Sequence, residues 1–377
     1  MRGSRVATVL HLICLGIVIF WTGCKTTKSV EPVTDQQALD SLAQSENGEQ
    51  EIVTKSPSFY LAKPIVWKQE HIKLRLSFDW EKQHAIGKAE LTVVPFQSSQ
   101  EIEIDAVGFL LVDDVKAVIP QDSSLQIDQI DYKDKKKIKI KFSRVCTSKD
   151  TIRIDIKYVA RPTENQDKGF IATSHDQGMF FTGEEWDELS DRQIWTQGEP
   201  TTNSAWMPCI DAPNQKTSQE IYLTVDTALV ALSNGRLVYM LINGNGTRTF
   251  YYKQEKKHAP YLAMIAVGDF DIVEDKWSRK VPISYYVKPE YASWANRIFG
   301  QTPAMMQFLE KRFGMEYPWD KYAQIAVDGF FAGGMENTSA TILNPSIIQD
   351  SIGYNDNNYE SLLVHELAHQ WFGNLVT

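Results

Sequence analysis

From about Lys63 to Glu274 apolar residues recur at every second position, a period that only half-buried β-strands satisfy. Ile72, Leu74, Leu76 and Phe78 alternate with polar neighbours, as do Ile138, Ile140 and Phe142. Ile152, Ile154, Ile156 and Tyr158 repeat the pattern, and so do Ile221, Leu223 and Val225. Turn signals at Ser233-Asn234-Gly235 and Asn243-Gly244-Asn245-Gly246 separate such runs. The lysines between Lys133 and Lys141 interleave with Ile138 and Ile140, so they read as the wet face of a strand. A net charge of −9, from 39 basic and 48 acidic side chains, agrees that no nucleic acid is bound here.

After Pro289 the period lengthens. Trp294, Ile298, Pro303, Met306, Leu309 and Phe313 predict helix interrupted near Gln301–Pro303 and ending at Gly314. Met305 and Met306 read as core filling. A short strand follows over Tyr322–Val327, then a glycine-rich stretch over Asp328–Asn337, and a last helix from about Tyr359 to the end. At 377 residues the chain has room for more than one domain of roughly 150 residues. The expected division is a β-rich domain over 59–272 and a second, α/β domain over 273–377.

The first residues read as a targeting signal. Arg2 and Arg5 precede an apolar run from Val6 to Trp21, shorter than the roughly 20 residues of a bilayer span. Thr22-Gly23-Cys24 resembles a bacterial lipobox, although Trp21 stands where leucine is usual. The resemblance implies a signal peptide over 1–23, lipidation of Cys24, and a place in the bacterial cell envelope on a membrane anchor. Residues 24–58 lack aromatics after Cys24 and are rich in Gln, Ser, Thr and Glu, the composition of a flexible tether. Export puts Cys146 and Cys209 where pairing is allowed, but nothing around them demands it.

The chemistry concentrates in His365-Glu366-Leu367-Ala368-His369. A spacing of four sets both imidazoles on one face of a helix, close enough to share a metal ion. Glu366 then acts as general base toward a metal-activated water. A metzincin would carry Gly at 372 and His at 375; Phe372 and Leu375 exclude that class.

Gly333-Gly334-Met335-Glu336-Asn337 and the run His365–Asn374, H-E-L-A-H-Q-W-F-G-N, resemble the G-x-M-E-N and zinc-helix motifs of the aminopeptidase N-like zinc metallopeptidases, a gluzincin family. Thr196-Gln197-Gly198-Glu199, Pro208–Pro213, Tyr261-Leu262-Ala263 and Gly268-Asp269-Phe270 are similar to further features of that family. Thr338-Ser339 departs from it, because many relatives carry Trp-Gly there.

This resemblance implies an all-β sandwich or saddle-like N-terminal domain followed by an incomplete thermolysin-like α/β zinc-peptidase domain. It implies one Zn(2+) per complete catalytic domain, held by His365 and His369, with a third, glutamate ligand and an oxyanion tyrosine beyond Thr377. The chain alone is then expected to be an inactive portion of a longer enzyme. The implied substrates are peptides with a free N-terminus. Glu336, helped by Glu199, would bind the α-ammonium, and Gln197 would line the pocket for the first side chain. The backbone around Gly333 and Gly334 would lie against the substrate, and Met335 and Asn337 belong to the same substrate-binding set. A cis bond is expected at Glu199–Pro200. Two other readings are a lipid-anchored, non-catalytic peptide-binding pseudoenzyme, and a different gluzincin hydrolase such as an endopeptidase or epoxide hydrolase.

Overall fold

Among the described residues the strands form four β-sheets, three of them from the region of period-two alternation. The computed structural model describes residues 64–119, 124–183, 192–277, 281–349 and 352–377. The expected signal peptide, the lipidated Cys24 and the tether lie outside these described residues. The largest sheet has seven strands, in the order Arg236–Ile242, Thr247–His258, Thr217–Asp226, Trp67–Asp79, His84–Pro95, Ile152–Ala160 and Leu111–Val118. Its neighbours are antiparallel except for Trp67–Asp79 and Thr217–Asp226, which run parallel with His71 opposite Ser218. In Ile152–Ala160 each of Ile152, Ile154, Ile156 and Tyr158 is buried, while the residues between them are not.

A three-stranded sheet (Ser99–Asp105, Lys137–Cys146, Ile127–Asp131) carries the lysine-rich strand. Ile138, Ile140 and Phe142 point into the core and Lys139 and Lys141 into solvent, as the alternation requires. Lys137 pairs with Glu103 at 2.9 Å and Lys139 with Asp134 at 3.6 Å. Cys146 and Cys209 are buried and unpaired. A four-stranded sheet, in the order Val230–Ser233, Ile265–Gly268, Gln193–Thr196 and Met179–Thr182, delivers Gln197 and Glu199 from the end of its third strand.

The second region is built on a five-stranded mixed sheet, in the order Asp271–Asp275, Ile283–Val287, Tyr322–Ala326, Ala340–Leu343 and Gly334–Met335. Asp271–Asp275 pairs with Ile283–Val287 along its whole length, so residues 272 and 273, between which the division was expected, lie within one strand of this sheet. Helix α1 (Ala295–Phe299) is separated from α2 (Thr302–Phe313) by Gly300 and Gln301. Met306 is buried and Met305 packs beside it. A short turn of helix, α3 (Gly353–Asp356), precedes α4 (Glu360–His369).

Helix α4 buries Leu363 and Leu367, with Trp371 continuing that stripe, against Tyr285, Phe299, Met306, Tyr322 and Leu343. This i, i+4, i+8 stripe turns His365 and His369 toward the opposite side. The expected run of helix to the end of the chain is corrected. The α-helix stops at His369, where Gln370 and Trp371 N–H tighten onto the carbonyls three residues back. Past Gly373 (φ 128°) the chain folds back with Asn374 N–H on the His369 carbonyl and Val376 N–H on that of Trp371. Among the described residues no helix is long and apolar enough to cross a membrane.

Candidate active site

The two imidazoles meet at their Nε2 atoms, 3.1 Å apart, with the rings edge to face. His369 Nδ1 lies 2.9 Å from the Phe372 carbonyl, which can only accept, so Nδ1 carries the proton and Nε2 keeps its lone pair. Two nitrogens each about 2.0–2.1 Å from a tetrahedral zinc ion would stand about 3.3 Å apart, so the pair fits two adjacent ligands of such a centre. Among the described residues no group of three His, Cys, Asp or Glu side chains surrounds a common point. The described residues therefore offer two donors.

Glu366 turns inward from the same helix and is buried. Its carboxyl occupies the space over Gly334, where a Cβ would come within 2.6 Å of Cδ and Oε1. The smallness of Gly334 thus leaves room for the Glu366 carboxyl. Burial first, then the charges of Glu336 and Glu199, push the Glu366 pKa up to about 8. Partial burial of the Glu199 carboxyl, reinforced by Glu336, raises its pKa too, with His369 opposing. Burial and then the same two glutamates push Tyr261 up to about 12. His365 is held below the ordinary imidazole value by burial and by His369, with Glu336 opposing. Three carboxylates and two imidazoles therefore share one electrostatic site.

The other expected residues converge on it. Gln197 is buried, and its Nε2 donates to Met335 Sδ at 3.3 Å. Glu199 is exposed as a whole residue, although its carboxyl end is partly screened from water by the groups around it, and it is joined to Pro200 by a cis bond, as expected. Gly333 is exposed and its carbonyl accepts from Asn344 N–H. Glu336 is half-buried, whereas Met335 and Asn337 are buried.

Nothing in the spacing assigns roles to Gln370 and Asn374, yet they tie the two motifs together. Gln370 Nε2 donates to the carbonyls of Glu336 (3.0 Å) and Asn337 (3.3 Å), and its Oε1 accepts from Ser339 N–H (2.8 Å). Asn374 Nδ2 donates to the Glu336 carbonyl at 2.7 Å. Their one visible signal was amide side chains continuing past the second histidine.

Comparison with known proteins agrees with this assembly. Residues 68–262 match the peptidase M1 N-terminal domain, and residues 298–377 match the peptidase family M1 domain. The chain is similar to aminopeptidase M1 of Arabidopsis thaliana, 35% identical over 189 residues, 48% of this chain and 21% of that protein. It is similar to mitochondrial aminopeptidase 2 of Saccharomyces cerevisiae, 31% identical over 231 residues (59% and 23%). Human glutamyl aminopeptidase is 33% identical over 189 residues (49% and 20%). The chain thus spans about a fifth of the length of the curated relatives it matches.

Proposed function

This chain belongs to peptidase family M1, and on that footing we propose that it forms part of a zinc-dependent aminopeptidase that removes N-terminal residues from peptides. The observation that carries the reading is the docking of two motifs: Gln370, next to His369, holds the loop that bears Glu336. His365 and His369 are the two residues that would hold the metal. When bound, zinc supplies a Lewis acid that polarises the scissile carbonyl and acidifies water.

Glu366, one residue after His365 on the same helix, accepts the proton of the attacking water and returns it to the leaving amine. Glu336 and Glu199 receive the α-ammonium through charge-assisted hydrogen bonds. An ammonium placed there also relieves the mutual repulsion of three neighbouring carboxylates. Buried Gln197 and Met335 line the wall beside it.

The test is hydrolysis of an aminoacyl anilide and its N-acetylated form by the complete gene product. Cleavage of the free amine alone, abolished by a chelator and by Glu336→Ala, is expected. Equal cleavage of the blocked substrate would overturn the reading. Anchoring at Cys24 rests on the basic, apolar and Thr-Gly-Cys succession at the N-terminus. Release of a Cys24→Ser variant from membranes would support it, and unchanged retention would refute it.

A further inference from the structure

Asn337–Ala340 is a turn closed by Ala340 N–H on the Asn337 carbonyl. Its third residue, Ser339, has φ 63°. That left-handed conformation at the third position of a turn calls for glycine. Ser339 is also fully buried, so its side chain makes no use of solvent. The hydroxyl accepts Gly235 N–H at 2.8 Å and, more weakly, Lys321 Nζ at 3.4 Å.

The backbone of Ser339 is gripped from two further directions. Its N–H donates to Gln370 beside the histidine pair. Its carbonyl accepts from Lys321 Nζ at 2.9 Å and from Ala323 N–H. Next to it, the Thr338 carbonyl accepts from Asn234 Nδ2 at 2.7 Å. Asn234 and Gly235 directly follow the strand Val230–Ser233, which belongs to the same four-stranded sheet as Gln193–Thr196. That second strand leads straight into Gln197 and Glu199. The hydroxyl of Ser339 is therefore a direct bond between the sheet that carries Glu199 and the loop that carries Glu336.

We propose that Ser339 is a positioning residue that sets the spacing between Glu199 and Glu336, and so the fit of the site to an α-ammonium. The proposal rests on the aminopeptidase reading above. Replacing Ser339 by glycine separates its two contributions, because glycine accepts the left-handed backbone but lacks the hydroxyl.

In the complete enzyme, Ser339→Gly is expected to raise KM for free-amine substrates roughly threefold to tenfold, the worth of one hydrogen bond, with kcat within about twofold. The melting temperature should not fall. Inhibition by an amino-acid hydroxamate should weaken by the same factor, while inhibition by acetohydroxamate, which lacks the amine, stays constant. Ser339→Ala should reproduce the KM effect and also lower the melting temperature, because it loses the hydroxyl that accepts Gly235 N–H without relieving the strained φ. An unchanged KM in both variants overturns the proposal, as does a parallel loss of both hydroxamates. A wild-type enzyme that shows no preference for the amine-bearing hydroxamate overturns the aminopeptidase reading, and this proposal with it.

Discussion

The sheet face around Ile154 and the turn around Ser339 are equally buried and are held in opposite ways. Around Ile154 the neighbours are the apolar Ile152, Ile156, Leu91 and Ala89, and the one polar side-chain atom further along that strand face among the described residues is the buried, unpartnered Tyr158 hydroxyl. Around Ser339 lie Asn337, Thr338, Gln370, Asn374 and Lys321, all buried and polar. Both polar atoms of the Asn337 side chain, Thr338 Oγ1 and Asn374 Oδ1 find no protein partner among the described residues. The first region gains stability by removing apolar surface from water. The second loses stability through desolvated polar groups and keeps its shape because several elements grip it at once. The residues proposed to bind substrate thus sit beside buried polar groups that lower stability.

The sharpest contrast is between activity and stability. Glu366→Gln should cut kcat by about a thousandfold, the scale of a lost general base, while leaving the melting temperature equal or higher. A kcat within tenfold of wild type would remove Glu366 from the chemistry. Ile154→Ala should do the reverse, costing about 3 kcal/mol of unfolding free energy with KM unchanged below the transition. Urea titration reads the first quantity and initial rates the second; a shifted KM would mean the sheet face and the site are not separable.

Gly334→Ala probes the border between the two regions. The new methyl would displace the Glu366 carboxyl, so kcat should drop about a hundredfold with circular dichroism unchanged. Full activity would show that Glu366 tolerates another position.

A pH-dependent effect on stability, with no expected change in activity, concerns Lys321. Its burial pulls the ammonium pKa down to about 7, with Asp320 opposing. With the folded value lowered, the unfolded chain binds more protons between about pH 7 and 10.5. Stability therefore rises with pH across that window, by at most about 1.4 kcal/mol per unit, and this contribution is flat below it. Lys321→Met should remove that slope. Parallel urea midpoints for the two proteins at pH 7 and pH 9 would exclude a buried, titrating Lys321.

Period-two alternation made the strands legible because each one has a single buried face, as in Ile152–Ala160. The His365–His369 spacing was legible for the same local reason. Sheet order was not, since pairing His71 with Ser218 joins residues far apart in sequence that no window spans. The end of α4 was missed because the tightening of its bonds after His369 and the turn at Gly373 are backbone events that apolar spacing does not report. Gln370 and Ser339 were opaque on different grounds. Their meaning lies in partners from three separate elements, and only the fold brings those partners together.

The two buried thiols flank one strand. Cys146 stands opposite Ser99 and Cys209 opposite Asp105, the two ends of Ser99–Asp105. Burial raises both thiol pKa values, so neither offers a thiolate to an alkylating reagent while the strand is in place. Alkylation at these positions then counts openings rather than intrinsic reactivity. The ratio of labelling at Cys146 to labelling at Cys209, read by peptide mapping, is a built-in gauge of which end of that strand lets go first.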